Sequence, residues 1–491
     1  MGQKPAIAIW VQSKGQNIRP VSLRRYFASS NVRVRGIPGI QSSVAGDNVV
    51  GQVERWCLER SDNEARLPLL VEQDSNGKYR YLVASAVAKS EEFIRIPGDV
   101  AITLADVEQD PELKDICRGR SELVSLALFI TKQRYIGEGS MWHVLLTTLP
   151  ASVDSPMFWE EEDRETLLRG SPVLDESRRR ALELQHEWES LVESAGESPS
   201  WLSRHSFMES MSVVLSHALF LPSAQCFALV PMLGGFQKTG SLRGCVVDYS
   251  VDENAVIVVA STSYGVGDEI KMYDGRSNGE LLMATGAVEV HNPSDYLTLT
   301  ASLVAADRLY AMKEEIAGAM GLSATMEFPI YEDRLAIQHL AFLRMARITD
   351  PALFAKVSFE EDSIISQENE YEVLQLIMAD ARELLQGYST GIEDDMKELQ
   401  REDLTRRERV SAMLRLGEKR ILQGTMDGVR RRLAPIRGIP TKGGGLEDPN
   451  ADLMEIFETI ESIPMAPKKL WESFSSWARG DNDPDFPSRG R

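Results

Sequence analysis

Three side-chain hydroxyls near the middle of the chain are the candidates for chemistry: those of Tyr273, Thr285 and Tyr296. A phenol gives a binding channel both an aromatic wall and a hydroxyl, whereas threonine keeps the hydroxyl without the ring or the reach. The nearby carboxylates of Glu269 and Glu280 are interpreted as structural or surface charges rather than as general bases. A buried tyrosine in a β-rich core is the alternative interpretation for both phenols.

The stretch that contains these hydroxyls, residues 260–302, resembles the closing motif of a SET domain, the fold of protein-lysine methyltransferases. The resemblance is carried by Gly267-Asp268-Glu269, Tyr273-Asp274 and Ser277-Asn278-x-Glu280-Leu281-Leu282. In that family, the phenol of a Tyr-Gly-Phe triplet lines the channel where a methyl group meets a lysine amine, and Thr285 stands at its position. Tyr273 matches a second motif tyrosine, and Tyr296 follows a segment similar to the family's Asn-Pro-x-Asp. The resemblance implies that all three hydroxyls border the lysine channel.

The resemblance also implies where S-adenosylmethionine, the methyl donor of the family, would bind. Tyr81 and Leu82 stand where the family has a glycine-rich turn, whose missing side chains let the backbone approach the cofactor. This chain has only Gly77 nearby, and the rings of Tyr79 and Tyr81 would crowd such an approach. His217 stands where an arginine faces the cofactor carboxylate, and a structural histidine is the alternative interpretation. Gln237 and Lys238 stand where the family has an Asn-His pair, and a lysine is hard to reconcile with the positive sulfonium. These altered residue types predict weak or absent methyl transfer.

The elements that must position these residues are predicted from apolar periodicity. Short strands are expected within residues 79–104, and a helical pattern runs from about 106 to 216. The continuous apolar run Ala255–Ala260 is suited to a buried strand. From Ala305 onward the spacing of apolar residues predicts helices.

Two further resemblances narrow the subgroup. Residues 141–171 resemble the helical insertion that splits the SET domain in the Rubisco large-subunit methyltransferase family, and residues 391–395 and 415–423 resemble its substrate-binding domain. The expected fold class is α+β. It comprises a SET-type fold of small β-sheets over 50–300, split by a helical insertion at about 106–216, and an all-helical C-terminal domain over 305–440.

The two ends of the chain differ from the body in composition. Residues 1–46 lack Asp and Glu but contain several Lys, Arg and Ser residues, which is typical of an organelle transit peptide. A disordered basic arm is the alternative. The extra tail, residues 446–491, follows a glycine run, and its apolar residues have helical spacing at Leu453, Ile456, Phe457 and Ile460. Such a face either binds a partner's groove or completes the helical domain.

Composition restricts the class of partner. The net charge of -20 argues against a general nucleic-acid binder, because phosphate neutralisation needs clustered Lys and Arg. The four cysteines lie far apart without metal-binding or disulfide-framework spacing, so no metal site is predicted. No apolar run reaches the roughly 18 residues of a membrane span. A protein partner is therefore expected.

The leading hypothesis is an organellar SET-fold protein, in a plastid rather than a mitochondrion, that has weak or no catalytic activity and acts by binding a protein. The competing hypothesis is an active S-adenosylmethionine-dependent protein-lysine N-methyltransferase acting on an organellar protein such as Rubisco large subunit. Under the first hypothesis the protein needs no cofactor. A third hypothesis is a structural component of a larger assembly that docks through residues 446–479.

Overall fold

The computed structural model describes residues 46–61, 63, 65–73, 79–195 and 199–436. The expected transit segment, apart from Gly46, and the C-terminal tail lie outside the described residues. Within the described residues, no helix combines the length and apolarity needed to cross a bilayer, and no group of metal-binding side chains comes together.

Helices and short strands alternate along the chain. The helices are α1 (Gly46–Arg60), α2 (Leu104–Gln109), α3 (Leu113–Ile116), α4 (Glu122–Ile136), α5 (His143–Thr147), α6 (Glu161–Leu167), α7 (Pro172–Ala195), α8 (Arg204–His217), α9 (Asn278–Thr285), α10 (Tyr310–Ala319), α11 (Ile337–Ala346), α12 (Gln367–Gly387), α13 (Ile392–Leu399) and α14 (Arg406–Ile436). The strands are β1 (Leu69–Gln73), β2 (Tyr79–Val83), β3 (Glu92–Pro97), β4 (Leu219–Leu221), β5 (Cys226–Ala228), β6 (Gln237–Thr239), β7 (Val246–Ser250), β8 (Ala255–Val259), β9 (Lys271–Tyr273), β10 (Leu297–Ser302) and β11 (Thr325–Ile330).

The strands form several small sheets. The apolar strand β8 lies between β3 and β7 in an antiparallel sheet, where Val256 and Val258 are buried on one face. Antiparallel pairs also join β1 to β2, β4 to β5 and β10 to β11, whereas β6 and β9 pair in parallel. The mixed fold of helices and small sheets expected from the sequence is confirmed.

Two apolar cores organise these elements. The first joins the strands from β1 to β9 with the helices α1–α9, of which α2–α8 interrupt the strand sequence between β3 and β4. Helix α4 supports this core because it is apolar on most sides, with its N-terminus capped by the Ser121 hydroxyl at 3.2 Å from the Val124 amide. The second core contains β10, β11 and the helices from α10 onward, and we call this part the lobe.

One strand lies where only helices were expected. Strand β11 falls in the lobe and pairs with β10 in register from Leu297↔Ile330 to Ser302↔Thr325. The prediction of an all-helical lobe is wrong here. Strand β10 buries every second residue and offers a row of backbone groups, which β11 satisfies by hydrogen bonding.

Candidate functional site

A partly open cavity of about 230 Å³ lies beside β2. It is lined by Tyr79, Arg80, Tyr81, Gly235, Gln237, Glu269 and Ile270, and we call it the cleft. Because side chains alternate along a strand, Tyr79 and Tyr81 share one face of β2. The strand is held in place by the Ile270 amide, which donates to the Tyr81 carbonyl at 2.9 Å.

The Tyr81 ring forms a buried part of the cleft wall. The residue is only 5% exposed, and its ring centroid lies 5.0 Å from that of Phe236. A Cβ built on Gly235 would lie 3.0 Å from the Tyr81 hydroxyl oxygen, so the ring is packed directly on this glycine. Burial raises the pKa of the Tyr81 phenol, which is therefore neutral. Leu82 is buried on the opposite face of β2 and does not line the cleft.

His217 reaches the same region from the other side. It is the last residue of α8 and is buried. A Cβ on Gly234 would lie 2.5 Å from the His217 carbonyl oxygen, so only glycine permits this approach. Since Gly234 and Gly235 form one short 3₁₀ turn, His217 and Tyr81 contact neighbouring residues. The fold thus gathers these two predicted cofactor positions around the turn.

Gln237 and Lys238 follow this turn on β6 and point to opposite faces of the strand. Gln237 is exposed and lines the cleft. The Lys238 amine points inward and donates to the Met272 sulfur at 3.3 Å. Burial lowers the pKa of Lys238 to about 8, and the positive charge of Arg276 acts in the same direction, against the attraction of Asp274. Lys238 therefore places a cation on the face of β6 opposite the cleft-lining Gln237.

Tyr273 lies at the end of β9 and is partly buried. A Cβ on Gly244 would lie 2.6 Å from the Tyr273 amide nitrogen, which shows how closely the backbone segments approach. Burial raises the pKa of Tyr273 to about 12, Asp274 raises it further, and a hydrogen bond with Ser294 opposes the shift. The phenol is a neutral hydrogen-bonding group at pH 7.

Tyr296 and Thr285 lie at opposite ends of α9. The Tyr296 hydroxyl shares hydrogen bonds with Glu280 and Ser277 at the N-terminal end, and burial followed by the Glu280 charge raises its pKa. The Thr285 hydroxyl donates to the Leu281 carbonyl at 2.7 Å in the last turn. Seven helical steps separate Asn278 from Thr285 by roughly 10 Å along the helix axis. The Thr285 and Tyr296 hydroxyls therefore bond to opposite ends of α9.

The motif residues that the sequence interpretation left without a role are Asn278 and Asp295. The Asn278 side-chain amide donates to the Asp295 carboxylate at 2.8 Å, and its backbone amide donates to the same carboxylate at 2.8 Å. The Glu289 amide donates to the Asn278 side-chain oxygen at 2.9 Å. Burial raises the pKa of Asp295 to about 6. The Asn-Pro-x-Asp-like segment was the available signal, and its aspartate fixes α9 in position.

Comparison with known proteins identifies relatives of this fold. A family model described as Rubisco LSMT substrate-binding matches residues 304–422. The chain is 26% identical over 361 residues to the fructose-bisphosphate aldolase-lysine N-methyltransferase, chloroplastic, of Arabidopsis thaliana, covering 69% of this chain and 74% of that protein. It is 23% identical over 369 residues to the Rubisco large subunit N-methyltransferase, chloroplastic, of Nicotiana tabacum, covering 70% and 74% of the two chains.

Solved structures agree with these matches. The SET domain of LSMT bound to lysine and AdoHcy superposes with a TM-score of 0.65 at 20% identity, covering 84% of this chain and 99% of that chain. Rubisco LSMT bound to AdoMet gives a TM-score of 0.63 at 20% identity, covering 83% and 99%. The chain belongs to the SET-domain family of the Rubisco large-subunit methyltransferase type. An actin-histidine N-methyltransferase of Danio rerio also matches, at 26% identity over 325 residues, with 61% of this chain and 54% of that protein covered.

In this SET-family chain, the two lobe segments that resemble the family are joined to the first core by buried polar groups. The Ser171 and Tyr388 hydroxyls donate to the Glu418 carboxylate at 2.8 and 2.9 Å. Burial raises the pKa of Glu418 to about 8, although both hydrogen bonds oppose the shift. Glu418 is therefore largely protonated at pH 7.

A buried ion-pair network lies beside Glu418. Asp395 pairs with Arg415 at 3.4 Å and with Lys419, and all three side chains are buried. Arg415 also donates to the Leu167 carbonyl of the first core, and Lys419 donates to the Thr390 carbonyl at 2.9 Å. The lobe junction is the set Ser171, Tyr388, Asp395, Arg415, Glu418 and Lys419. Of these contacts, the Ser171–Glu418 bond and the Arg415 bond to the Leu167 carbonyl join the lobe to the first core.

The cleft of this SET-family protein does not fit S-adenosylmethionine in its present arrangement. Its volume of about 230 Å³ lies below the roughly 300 Å³ at which ligand pockets begin. The Tyr81 ring packs on Gly235 at the wall of the cleft. The misfit of the present arrangement is therefore one of size.

Proposed function

We propose that this SET-family protein binds another protein and transfers no methyl group to it. The proposal is supported by the retained scaffold, whose lobe is fixed to the first core, together with a cofactor cleft that does not fit the family's methyl donor. Binding a protein does not require the cofactor, so the fold retains a binding function without it. The protein is then a binding member of an enzyme family.

The observation that carries this proposal is the packing of Tyr81 on Gly235 and Phe236. Burying an aromatic ring in the cleft stabilises the fold, whereas opening the site for a cofactor would expose that ring to water. A ligand would have to offset the free energy of exposing the Tyr81 ring with its own binding free energy. The narrow cleft is thus favoured by the same packing that stabilises β2.

The class of partner is inferred from the net charge of the chain and from the substrates of the proteins that it resembles. The chain carries a net charge of -20, which favours partners with basic or mixed surfaces over nucleic acids. The named substrates of its relatives are aldolase, Rubisco large subunit and actin, all of them proteins. We take an organellar protein such as Rubisco as the first candidate, bound through the lobe. Two of those relatives are chloroplastic, which favours a plastid as the compartment.

Calorimetry with S-adenosylmethionine on the full chain tests the proposal. No binding heat is expected for the unmodified protein at concentrations up to the millimolar range. The double variant Tyr79→Gly with Tyr81→Gly removes both rings and should gain measurable binding, provided circular dichroism shows that it folds. Tyr81→Phe keeps the ring and is the matched control, for which no binding is expected. Micromolar binding by the unmodified protein would overturn the proposal.

The competing function is an active protein-lysine N-methyltransferase, and the position of Tyr273 favours it. Its neutral phenol lies beside Ser294 in the segment that carries the family motif. Incubation with radiolabelled S-adenosylmethionine and purified Rubisco large subunit distinguishes the two functions. Label on a lysine that disappears in Tyr273→Phe would establish the enzyme. Unlabelled Rubisco that nevertheless co-purifies with the protein would support the binding function.

The compartment has its own test. A fusion of residues 1–46 to a fluorescent protein is expected to enter plastids, because the segment is basic, rich in serine and free of acidic residues. A fusion that begins at residue 47 should stay in the cytosol. Import into mitochondria, or no import at all, would contradict the plastid assignment without affecting the proposal on binding.

A further inference from the structure

One edge of the small sheet in the lobe has no neighbouring strand. In the described part of the chain, this sheet consists of β10 and β11. The Leu303 amide donates to the Ala324 carbonyl at 2.8 Å, which continues the register of the two strands. Because bonded and non-bonded pairs alternate along an antiparallel ladder, Thr298, Thr300 and Ser302 direct their backbone groups away from β11. We call the outward amides and carbonyls of these three residues the β10 edge.

The β10 edge is open to solvent. Thr298, Thr300 and Ser302 are exposed, whereas Leu299 and Ala301 between them are buried against the second core. Within the described residues, the outward amides and carbonyls take part in no hydrogen bond. Donors and acceptors that recur at every second residue over roughly 14 Å match the backbone of an extended strand. The ligand that fits this edge is therefore another β-strand.

The opposite edge of the sheet, on β11, is protected against such pairing. Pro329 lies opposite Thr298 in the register, so its missing amide leaves the outer side of β11 without a donor there. Glu327 is exposed in the middle of that edge. In a two-fold pairing of β11 with a second copy, Glu327 would face its own copy, and like charges directly opposite each other are destabilising. The β10 edge contains neither a proline nor a charged residue.

The β10 edge is complementary to itself. If two copies pair antiparallel about a two-fold axis at Thr300, this residue meets its own copy, and Thr298 of each copy meets Ser302 of the other. Each of these three meetings is a mutually bonded pair, so every outward amide and carbonyl finds a partner. The side chains that then lie opposite each other all carry hydroxyls, which stabilise cross-strand pairs.

Charge limits where two copies of this chain can meet. Each copy has a net charge of -20, so surfaces with exposed carboxylates repel each other on approach. A pairing of threonine and serine side chains places no like charges opposite each other. The β10 edge thus offers two acidic copies a neutral contact.

We propose that β10 of one copy pairs antiparallel with β10 of a second copy, so that two lobes share one sheet in the order β11-β10-β10-β11. The occupant is a second copy because the edge matches its own hydrogen-bond pattern, length and side-chain type. The residues of the cleft and of the lobe junction lie on other elements. This inference therefore does not depend on the proposed function.

Sedimentation of the full chain at micromolar concentrations tests the proposal. A monomer–dimer equilibrium is expected for the unmodified protein. Thr300→Lys should raise the dimer dissociation constant at least about tenfold, because two ammonium groups then face each other across the axis. The monomer should keep its fold, since the lysine lies opposite Glu327 in the register with β11. Thr325→Lys adds the same charge to the β11 edge and is the matched control, for which an unchanged dissociation constant is expected.

A mixture of oppositely charged variants identifies the pairing directly. Thr300→Glu alone should also weaken the dimer, because two carboxylates would meet. An equal mixture of Thr300→Lys and Thr300→Glu should form a heterodimer, since a lysine then faces a glutamate. Recovery of the dimer in this mixture separates lost pairing from lost folding, because two unfolded variants would not restore each other.

Three results would overturn the proposal. An unmodified chain that stays monomeric at high micromolar concentration would show that β10 does not pair with itself. Dimers of equal stability in the unmodified protein, Thr300→Lys and Thr325→Lys would place the contact on another surface. A monomer whose Thr298, Thr300 and Ser302 amides become protected from hydrogen exchange only when purified Rubisco large subunit is added would assign the edge to a strand of that protein.

Discussion

The lobe junction and the cleft show opposite relations between family motif and structure. At the lobe junction, the residues that resemble the family are present and each has buried partners, such as Glu418 with Ser171 and Tyr388. In the cleft, the residues that we predicted at the family's cofactor positions differ in type from the family pattern, and the Tyr81 ring packs on Gly235 and Phe236. Both regions lie in one continuous fold. Under the proposed function, scaffold and chemistry have thus been retained to different degrees.

The difference has a physical basis. A buried ion pair that loses one partner leaves an uncompensated charge, so changes at the lobe junction destabilise the fold whether or not the protein is an enzyme. A cofactor cleft is constrained only while the cofactor binds, and filling it with an aromatic ring adds stability. Retained junction residues are therefore evidence for a retained fold. They carry no information about methyl transfer.

The largest effect is expected at Asp395, the carboxylate buried between Arg415 and Lys419. Asp395→Ala should lower the apparent free energy of unfolding by about 3–5 kcal/mol, because two buried cations lose their partner. Urea denaturation followed by circular dichroism measures this change. The control is Asp403→Ala, which removes an exposed carboxylate paired with Arg401 at 2.8 Å and should change stability little. Equal losses in both variants would remove the distinction between junction and surface.

The next effect concerns Glu418 and includes a pH dependence. Glu418→Ala should cost about 2–3 kcal/mol, because the Ser171 and Tyr388 hydroxyls lose their acceptor. The folded protein keeps the Glu418 proton up to a pKa of about 8, whereas the unfolded chain releases it near 4.5. The contribution of Glu418 therefore decreases as pH rises through this window.

Glu418→Gln is the matched control for both parts of this prediction. It preserves the size and an acceptor but cannot ionise, so its cost at pH 8 should be well below that of Glu418→Ala. The difference in stability between Glu418→Gln and the unmodified protein should shift in favour of glutamine between pH 5 and 8. Denaturation midpoints of both proteins, measured across this pH range, test the predicted shift. A stability difference that stays constant with pH would show that Glu418 is not the titrating group.

A gain in stability is expected beside the cleft. Burial lowers the pKa of Lys238 from 10.5 to about 8, so holding its proton in the folded state is unfavourable at pH 7. Lys238→Met keeps an unbranched chain beside the Met272 sulfur and should raise the free energy of unfolding by about 1–2 kcal/mol. The advantage should shrink as pH rises from 8 to 10.5, where the unfolded chain also loses the proton. A destabilised Lys238→Met at pH 7 would mean that the amine is well accommodated.

The sequence allowed much of the fold to be predicted, since its signals there are local. The apolar run at Ala255–Ala260 is strand β8, and the helical pattern from about 106 to 216 is the set α2–α8. Strand β11 was missed because six residues containing Pro329 give little alternation, and its pairing depends on β10. The local sequence pattern of β11 does not identify β10 as its partner strand.

The candidate site was less accessible to prediction for a related reason. The sequence identified Tyr81 and His217 as positions of interest, but their contacts with Gly235 and Gly234 join distant segments. From the sequence alone, Glu418 is interpreted as a solvent-exposed helix residue. Its buried partner Ser171 lies 247 positions away in the chain. Only the tertiary structure shows that such polar groups are buried and paired.

The smallest effect on stability is expected at Thr285. This variant also tests whether the family's residue type at one motif position is enough for methyl transfer. Thr285→Tyr restores the residue type that the family resemblance places at the channel, yet the side chain lies in the last turn of α9, where its hydroxyl donates only to the Leu281 carbonyl. Loss of that back-bond should change stability by about 0.5 kcal/mol or less. Because the Tyr81 ring still packs on Gly235 in the cleft wall, the proposed function predicts that the new phenol produces no methyl transfer in a radiolabel assay. Transfer by Thr285→Tyr but not by the unmodified protein would mean that the residue type at position 285, and not the cleft, limits methyl transfer.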